Sequence, residues 1–144
     1  MRTKGIIYEK CKAFSLSVIS LCKELEEKKE FVISNQILKS ATSIGANYCE
    51  ALDAESSQDF IHKISISLKE ANETYYWLDL LYSSNSLEEV RFNELCCQVE
   101  ELHKMLNSSI YTIRQRINTQ TNELNNWKCL NAWVFTQKKR ALRQ

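Results

Sequence analysis

Along most of this chain, apolar residues recur at alternating intervals of four and three. Ile7, Cys11, Phe14, Val18, Leu21 and Leu25 begin the pattern. That spacing is the seam of a bundle helix, and it predicts a first helix over about 6–28, ending in the charged run KELEEKKE. Ile33, Ile37, Ala41, Ile44 and Tyr48 predict a second helix over about 33–54. Phe60, Ile64, Leu68, Ala71, Tyr75, Leu78 and Tyr82 make the stripe of a third. Ser57 is its expected N-cap, with Gln58 and Asp59 favourable in the first turn. SSNS at 83–86 is the clearest loop. Ser86 is then expected to cap a fourth helix, with Glu89 completing a capping box. Leu95, Val99, Leu102, Leu106, Ile110, Ile113 and Ile117 form its seam.

Four long amphipathic helices with short connections imply an all-α fold, an antiparallel up-and-down four-helix bundle. Composition agrees with this. The chain of 144 residues holds 2 glycines and no proline, which disfavours tight turns and hairpins. No apolar run approaches the roughly 18 residues that span a bilayer, and the N-terminus lacks the features of a secretory signal. A cytoplasmic protein with no membrane association is the expectation. Six cysteines, at 11, 22, 49, 96, 97 and 129, form no C-x-x-C pair and read as buried free thiols.

Helix two poses a question. In KSATSIGANYCE, Ser40, Ser43, Asn47 and Glu50 recur at helical intervals beside the apolar stripe. At 100° per residue they form a shoulder on the buried face, not the far solvent side. Small residues there, with Gly45 nearby, admit a closely packed helix, and the polar groups form a hydrogen-bonded seam; a ligand or RNA contact is the other reading. On helix three, Ile66, Trp77 and Leu81 cluster within about 60° of one another, away from the main stripe. Glu70 and Glu73 flank them. A second apolar face is more than a lone bundle needs, so Trp77 either covers a bundle edge or contacts another subunit.

Catalytic and metal chemistry find little support. Glu100 with His103, and Asp59 with His62, have the Glu-x-x-His spacing of di-iron bundles. His62, however, lies about 160° from its helix's apolar stripe and Glu100 about 120° from its own, so neither pair points inward together. No nucleophile elbow, triad or phosphate loop is recognisable. The chain reads as a non-enzyme without cofactor or metal.

The residues of helices two and three carry a resemblance. KSATSIGANYCEA, followed by SSQDFIHKISISLKEANETYYWLDLL, resembles the four-helix-bundle proteins encoded by intervening sequences in bacterial 23S rRNA genes. Ser40, Ser43, Ile44, Asn47, Glu50, Asp59, Phe60, Glu70, Glu73 and Trp77 match the family pattern, densely over 33–82. Lys39 stands where Arg is usual and Ala51 where Gly is usual. Lys keeps the charge but loses the planar fork for a bidentate contact. The resemblance implies a ring of bundles, often a homopentamer, linked by gene location to rRNA and without known catalysis. It also implies a rival role. Similar bundles serve diversity-generating retroelements, where a strongly basic ring binds a reverse transcriptase and nucleic acid.

Charge separates these readings and divides the chain. Residues 119–144 carry Lys128, Lys138, Lys139, Arg140 and Arg143 against Glu123, a balance of +4; with a net charge of +1, residues 1–118 stand at −3. The body is therefore unlike a basic ring. Phosphate contact falls to the tail and Lys39. The expected organisation is a bundle over 1–118 and a basic, aromatic-containing tail over 119–144. There Trp133 and Phe135 beside the cations suit a nucleic-acid arm for RNA or DNA, or a terminal segment packed on the bundle.

Overall fold

A computed structural model describes residues 5–141, with side chains described through 125 and at 127 and 128. Four helices follow one another: α1 (Ile6–Glu27), α2 (Phe31–Leu52), α3 (Ser57–Ser83) and α4 (Glu89–Ala141). No strand occurs among the described residues. The chain divides into two compact units, Met1–Ile110 and Tyr111–Gln144.

The core of the first unit is built from the seams. Phe14, Val18, Leu21 and Leu25 of α1, Ile37, Ala41 and Ile44 of α2, Ile64, Ala71 and Leu78 of α3, and Leu95, Leu102 and Leu106 of α4 are buried in one cluster. Each fully buried Leu or Ile contributes about 1.5–3 kcal/mol.

α3 is rolled relative to its predicted stripe. Its buried residues are Ile64, Ser67, Ala71, Thr74, Leu78 and Leu81, whereas Tyr75 is 41% and Tyr82 37% exposed. Leu81 therefore belongs to the core and not to a second apolar face with Ile66 and Trp77. Two buried hydroxyls make this possible, because both find partners on α2. Ser67 Oγ donates to the carbonyl of Ile44 at 2.7 Å, and Thr74 Oγ1 donates to Ser40 Oγ at 2.9 Å. A buried hydroxyl without a partner would cost about 1–3 kcal/mol.

The helices meet at further named contacts. Between α1 and α2, Ser34 Oγ donates to the carbonyl of Cys22 at 3.3 Å, and a Cβ on Gly45 would stand 3.2 Å from that of Cys11. Between α2 and α3, Lys63 is ion-paired with Glu50. Tyr82 stacks on Phe92 of α4 with ring centroids 4.5 Å apart. α1 meets α4 where Arg91 Nη2 donates to the carbonyl of Ser17 at 3.2 Å and Lys10 pairs with Glu101 at 2.9 Å.

The helix ends correct the predicted caps. Ser56, not Ser57, caps α3: its hydroxyl accepts the Asp59 amide at 3.1 Å, while Asp59 accepts from the Glu55 amide at 3.3 Å. Ser86 does not cap α4, which starts at Glu89; it belongs instead to the end of α3. There Asn85 has φ 58, the Ser86 amide donates to Leu81 O at 2.9 Å and the Asn85 amide to Tyr82 O at 3.0 Å. The end of α1 repeats the pattern. Lys29 has φ 63, with Glu30 N–H bonded to Leu25 O and Lys29 N–H to Glu26 O, both at 2.9 Å. These are Schellman motifs, which close a helix with one left-handed residue. Asn tolerates that conformation well; Lys tolerates it poorly.

α4 continues as helix to Ala141, past the point where its predicted seam was expected to break at 118. No described helix is long and apolar enough to cross a membrane.

Candidate functional site

The singled-out polar residues of α2 and the acidic residues and Trp of α3 gather along the seam of these two helices and its outer edge. Ser40 is fully buried; it accepts from Thr74 and donates to the carbonyl of Ile37 at 3.3 Å. The result is a short relay from α3 into the α2 backbone. One and two turns on, Asn47 Nδ2 donates to the carbonyl of Ser43 at 2.8 Å, and the Glu50 carboxylate takes Lys63 of α3. That hydrogen bond raises the pKa of Lys63. Ser43 and Asn47 are half-buried, and Glu50 is exposed. The stripe thus passes from a dry interhelical bond at Ser40 to a wet edge at Glu50.

Across from it, Glu70 is half-buried. Its pKa is raised by burial first and by the neighbouring Glu73 second, with Lys39 of α2 opposing both. Lys39 is exposed on the same side. Trp77 packs half-buried against the core, and its indole Nε1–H donates to Glu73 Oε1 at 3.2 Å. The Tyr76 ring meets it edge-on, with centroids 5.0 Å apart. Tyr76 is 58% exposed, so the aromatic pair reaches from the core into solvent. The sequence did not single out Tyr76, although the YYW run at 75–77 was its signal. The carboxylate and the neighbouring ring hold the indole in one orientation at the surface.

The other candidates are dispersed. His62 and Glu100 are exposed, and Asp59 is used at the α3 N-terminus. His103 Nδ1 lies 3.0 Å from Asn107 Nδ2. Among the described residues no three His, Cys, Asp or Glu side chains are grouped to hold a metal ion. Cys11, Cys22, Cys49, Cys96 and Cys97 are free thiols. Burial pushes the Cys11 thiol up to about 12 and the Cys96 thiol up to about 11, values of inert core thiols. Of the basic residues, Lys128 is exposed on α4. The side chains of Lys138, Lys139 and Arg140, and the aromatics Trp133 and Phe135, lie outside the described side chains, and Arg143 lies outside the described residues.

Residues 3–108 match the family described as 23S rRNA-intervening sequence protein. Among solved structures, the chain is similar to a crystal structure of a protein with unknown function from the S23 ribosomal protein family of Bacteroides thetaiotaomicron VPI-5482. The two are 44% identical, with a TM-score of 0.72, and the match covers 73% of this chain and 98% of that one. Comparison with curated proteins finds no match. The family match takes in all of α1, α2 and α3 and the first part of α4, including the seam from Ser40 to Trp77, and the chain belongs to the 23S rRNA-intervening sequence protein family.

Proposed function

We propose that this protein is a non-enzymatic cytoplasmic scaffold or adaptor. Its antiparallel up-and-down bundles assemble into a homo-oligomeric ring, a homopentamer by the family resemblance, and the ring associates with RNA. The antiparallel arrangement is supported by contact pairs whose numbers run in opposite directions. Cys11 meets Gly45 while Cys22 meets Ser34; Ser40 meets Thr74 while Glu50 meets Lys63; Lys10 meets Glu101 while Ser17 meets Arg91.

One observation carries the assembly: the aromatic edge of α3. Trp77 is half-buried and held by Glu73, with Tyr76 largely exposed at its side. A ring with its polar N–H already satisfied and an adjoining apolar surface in water matches the aromatic anchors found at interface centres. In this reading Ser40 and Ser43 let α2 and α3 pack closely enough to present one joint face. Glu70, Glu73, Asn47 and Glu50 form its polar rim, and Lys39 with the basic residues of the tail takes RNA phosphates.

Sedimentation velocity on the wild type and on Trp77→Ala tests the interface. The account expects a multi-subunit species for the wild type and a shift towards the monomer for the variant; an unchanged sedimentation coefficient would remove Trp77 from the contact. RNA association is read separately, by fluorescence anisotropy of a labelled structured RNA and of duplex DNA at two salt concentrations. Salt-sensitive binding of RNA supports the reading. Equally tight binding of both nucleic acids would favour the accessory role beside a reverse transcriptase.

A further inference from the structure

α4 runs as one helix to Ala141, yet the family match stops at residue 108. The second unit, Tyr111–Gln144, is therefore an addition to the family's bundle. Its only described element is this helix. In proteins a helix gains most of its stability by burying one face. Leu124 is 56% and Trp127 65% exposed, and Ile113 and Ile117 are half-buried.

These four residues are not scattered. Counting in heptads, Ile117, Leu124 and Asn131 take a positions, and Ile113, Gln120, Trp127 and Val134 take d positions. Five of these seven are apolar, and the register continues through three heptads, the pattern of a coiled-coil seam. The flanking positions supply charge complementarity. Glu123 falls at g and Lys128 at the following e. In a parallel, in-register pair, the g residue of one helix faces that e residue of the other.

We propose that residues 113–134 of α4 form a parallel, in-register coiled coil with the same segment of a second copy of this chain, with Glu123 of one helix paired to Lys128 of the partner subunit. Self-pairing covers the exposed Leu124 and Trp127 of both copies and joins two Glu–Lys pairs. The coil is a contact separate from the ring and does not depend on it.

The test uses the full chain, in the wild-type and Trp77→Ala backgrounds, so that loss of the bundle contact and loss of the coil are read separately. Sedimentation equilibrium gives the association constant, and far-UV circular dichroism checks that the bundle stays folded. Leu124→Asp is expected to weaken self-association at least tenfold in both backgrounds while the thermal transition of the bundle stays in place. Glu123→Lys and Lys128→Glu are each expected to weaken it severalfold at low salt, and the double exchange is expected to restore it to within about twofold. Unchanged association in Leu124→Asp would overturn the proposal, as would a double exchange no better than the singles. So would a Leu124→Asp chain that keeps its association but loses RNA binding, because the seam would then face nucleic acid.

Discussion

Thr74 of α3 donates its hydroxyl to Ser40 of α2 at 2.9 Å, with both side chains fully shielded from water. This bond explains why a helix with an apolar stripe carries a small polar stripe beside it. Two short hydroxyls let the helix axes come close: Ser40 accepts from Thr74 and donates in turn to the carbonyl of Ile37, while Thr74 Oγ1 also lies 2.8 Å from the carbonyl of Glu70. Thr74→Val and Ser40→Ala should each cost about 1 kcal/mol, and the double variant should cost less than the sum, with a coupling of about 0.5–1.5 kcal/mol. Urea unfolding of the four chains in the cycle measures this; strict additivity would mean that the pair contributes no stability as a pair.

The ends of α1 and α3 predict an asymmetry. Lys29 and Asn85 occupy the same left-handed position of the same motif, but only Asn has a side chain suited to it. Lys29→Gly should stabilise the protein by about 0.5–1 kcal/mol, whereas Asn85→Gly should change little. Equal effects at the two sites, seen in the midpoint of chemical denaturation, would show that the left-handed residue does not limit stability.

Gly45 sets the spacing of α1 and α2. A Cβ there would stand 3.2 Å from Cys11 Cβ, and neither carbon can move without its backbone. Gly45→Leu should cost about 1–3 kcal/mol through overpacking, against any gain in helix propensity. Differential scanning calorimetry would register the loss as a lower Tm, and an unchanged Tm would mean that the two helices can separate freely.

Cys11 makes stability depend on alkaline pH. Its thiol, ordinarily near 9.0, is pushed up to about 12 in the fold, chiefly by burial. An acid held protonated by folding contributes its full stability below the unfolded pKa. Above it, the unfolded chain gives up a proton that the folded chain keeps, so stability falls as pH rises from about 9 to about 12. Cys11→Ala should flatten this decline while lowering stability at neutral pH. Urea midpoints at pH 8 and 10.5 for both chains test it; parallel declines would assign the alkaline loss to other groups.

Much of the fold was legible because the seams follow helix geometry. Phe14, Val18, Leu21, Ile37, Ile44, Leu95 and Leu102 were expected in the core and are there. On α3 the hydrophobic pattern gives the helical period but not the centre of the buried face. Ser67 and Thr74 count as polar in any hydrophobic pattern, so periodicity centres the stripe on Tyr75 and Tyr82 instead. Only the partners on α2 show that the two hydroxyls belong inside, and those partners are invisible to one-dimensional periodicity. The same centring places Leu81 outside, although it is buried. The caps missed by one to three residues because serine runs at 56–57 and 83–86 offer several equivalent hydroxyls. The turn at Lys29 carried no signal, since left-handed positions are ordinarily marked by Gly or Asn. At the candidate face, Ser40, Ser43, Asn47, Glu50, Glu70, Glu73 and Trp77 were read from spacing and resemblance, while Tyr76 emerged only from its exposure and its contact with Trp77.

The most direct test of the central claim is an electron cryo-microscopy reconstruction of the full-length protein at micromolar concentration. The account predicts closed rings of five copies of the 16.8 kDa chain, with Trp77 and Tyr76 of every copy covered by a neighbour. Single bundles with that aromatic edge facing solvent, or rings joined through surfaces that leave Trp77 uncovered, would contradict it.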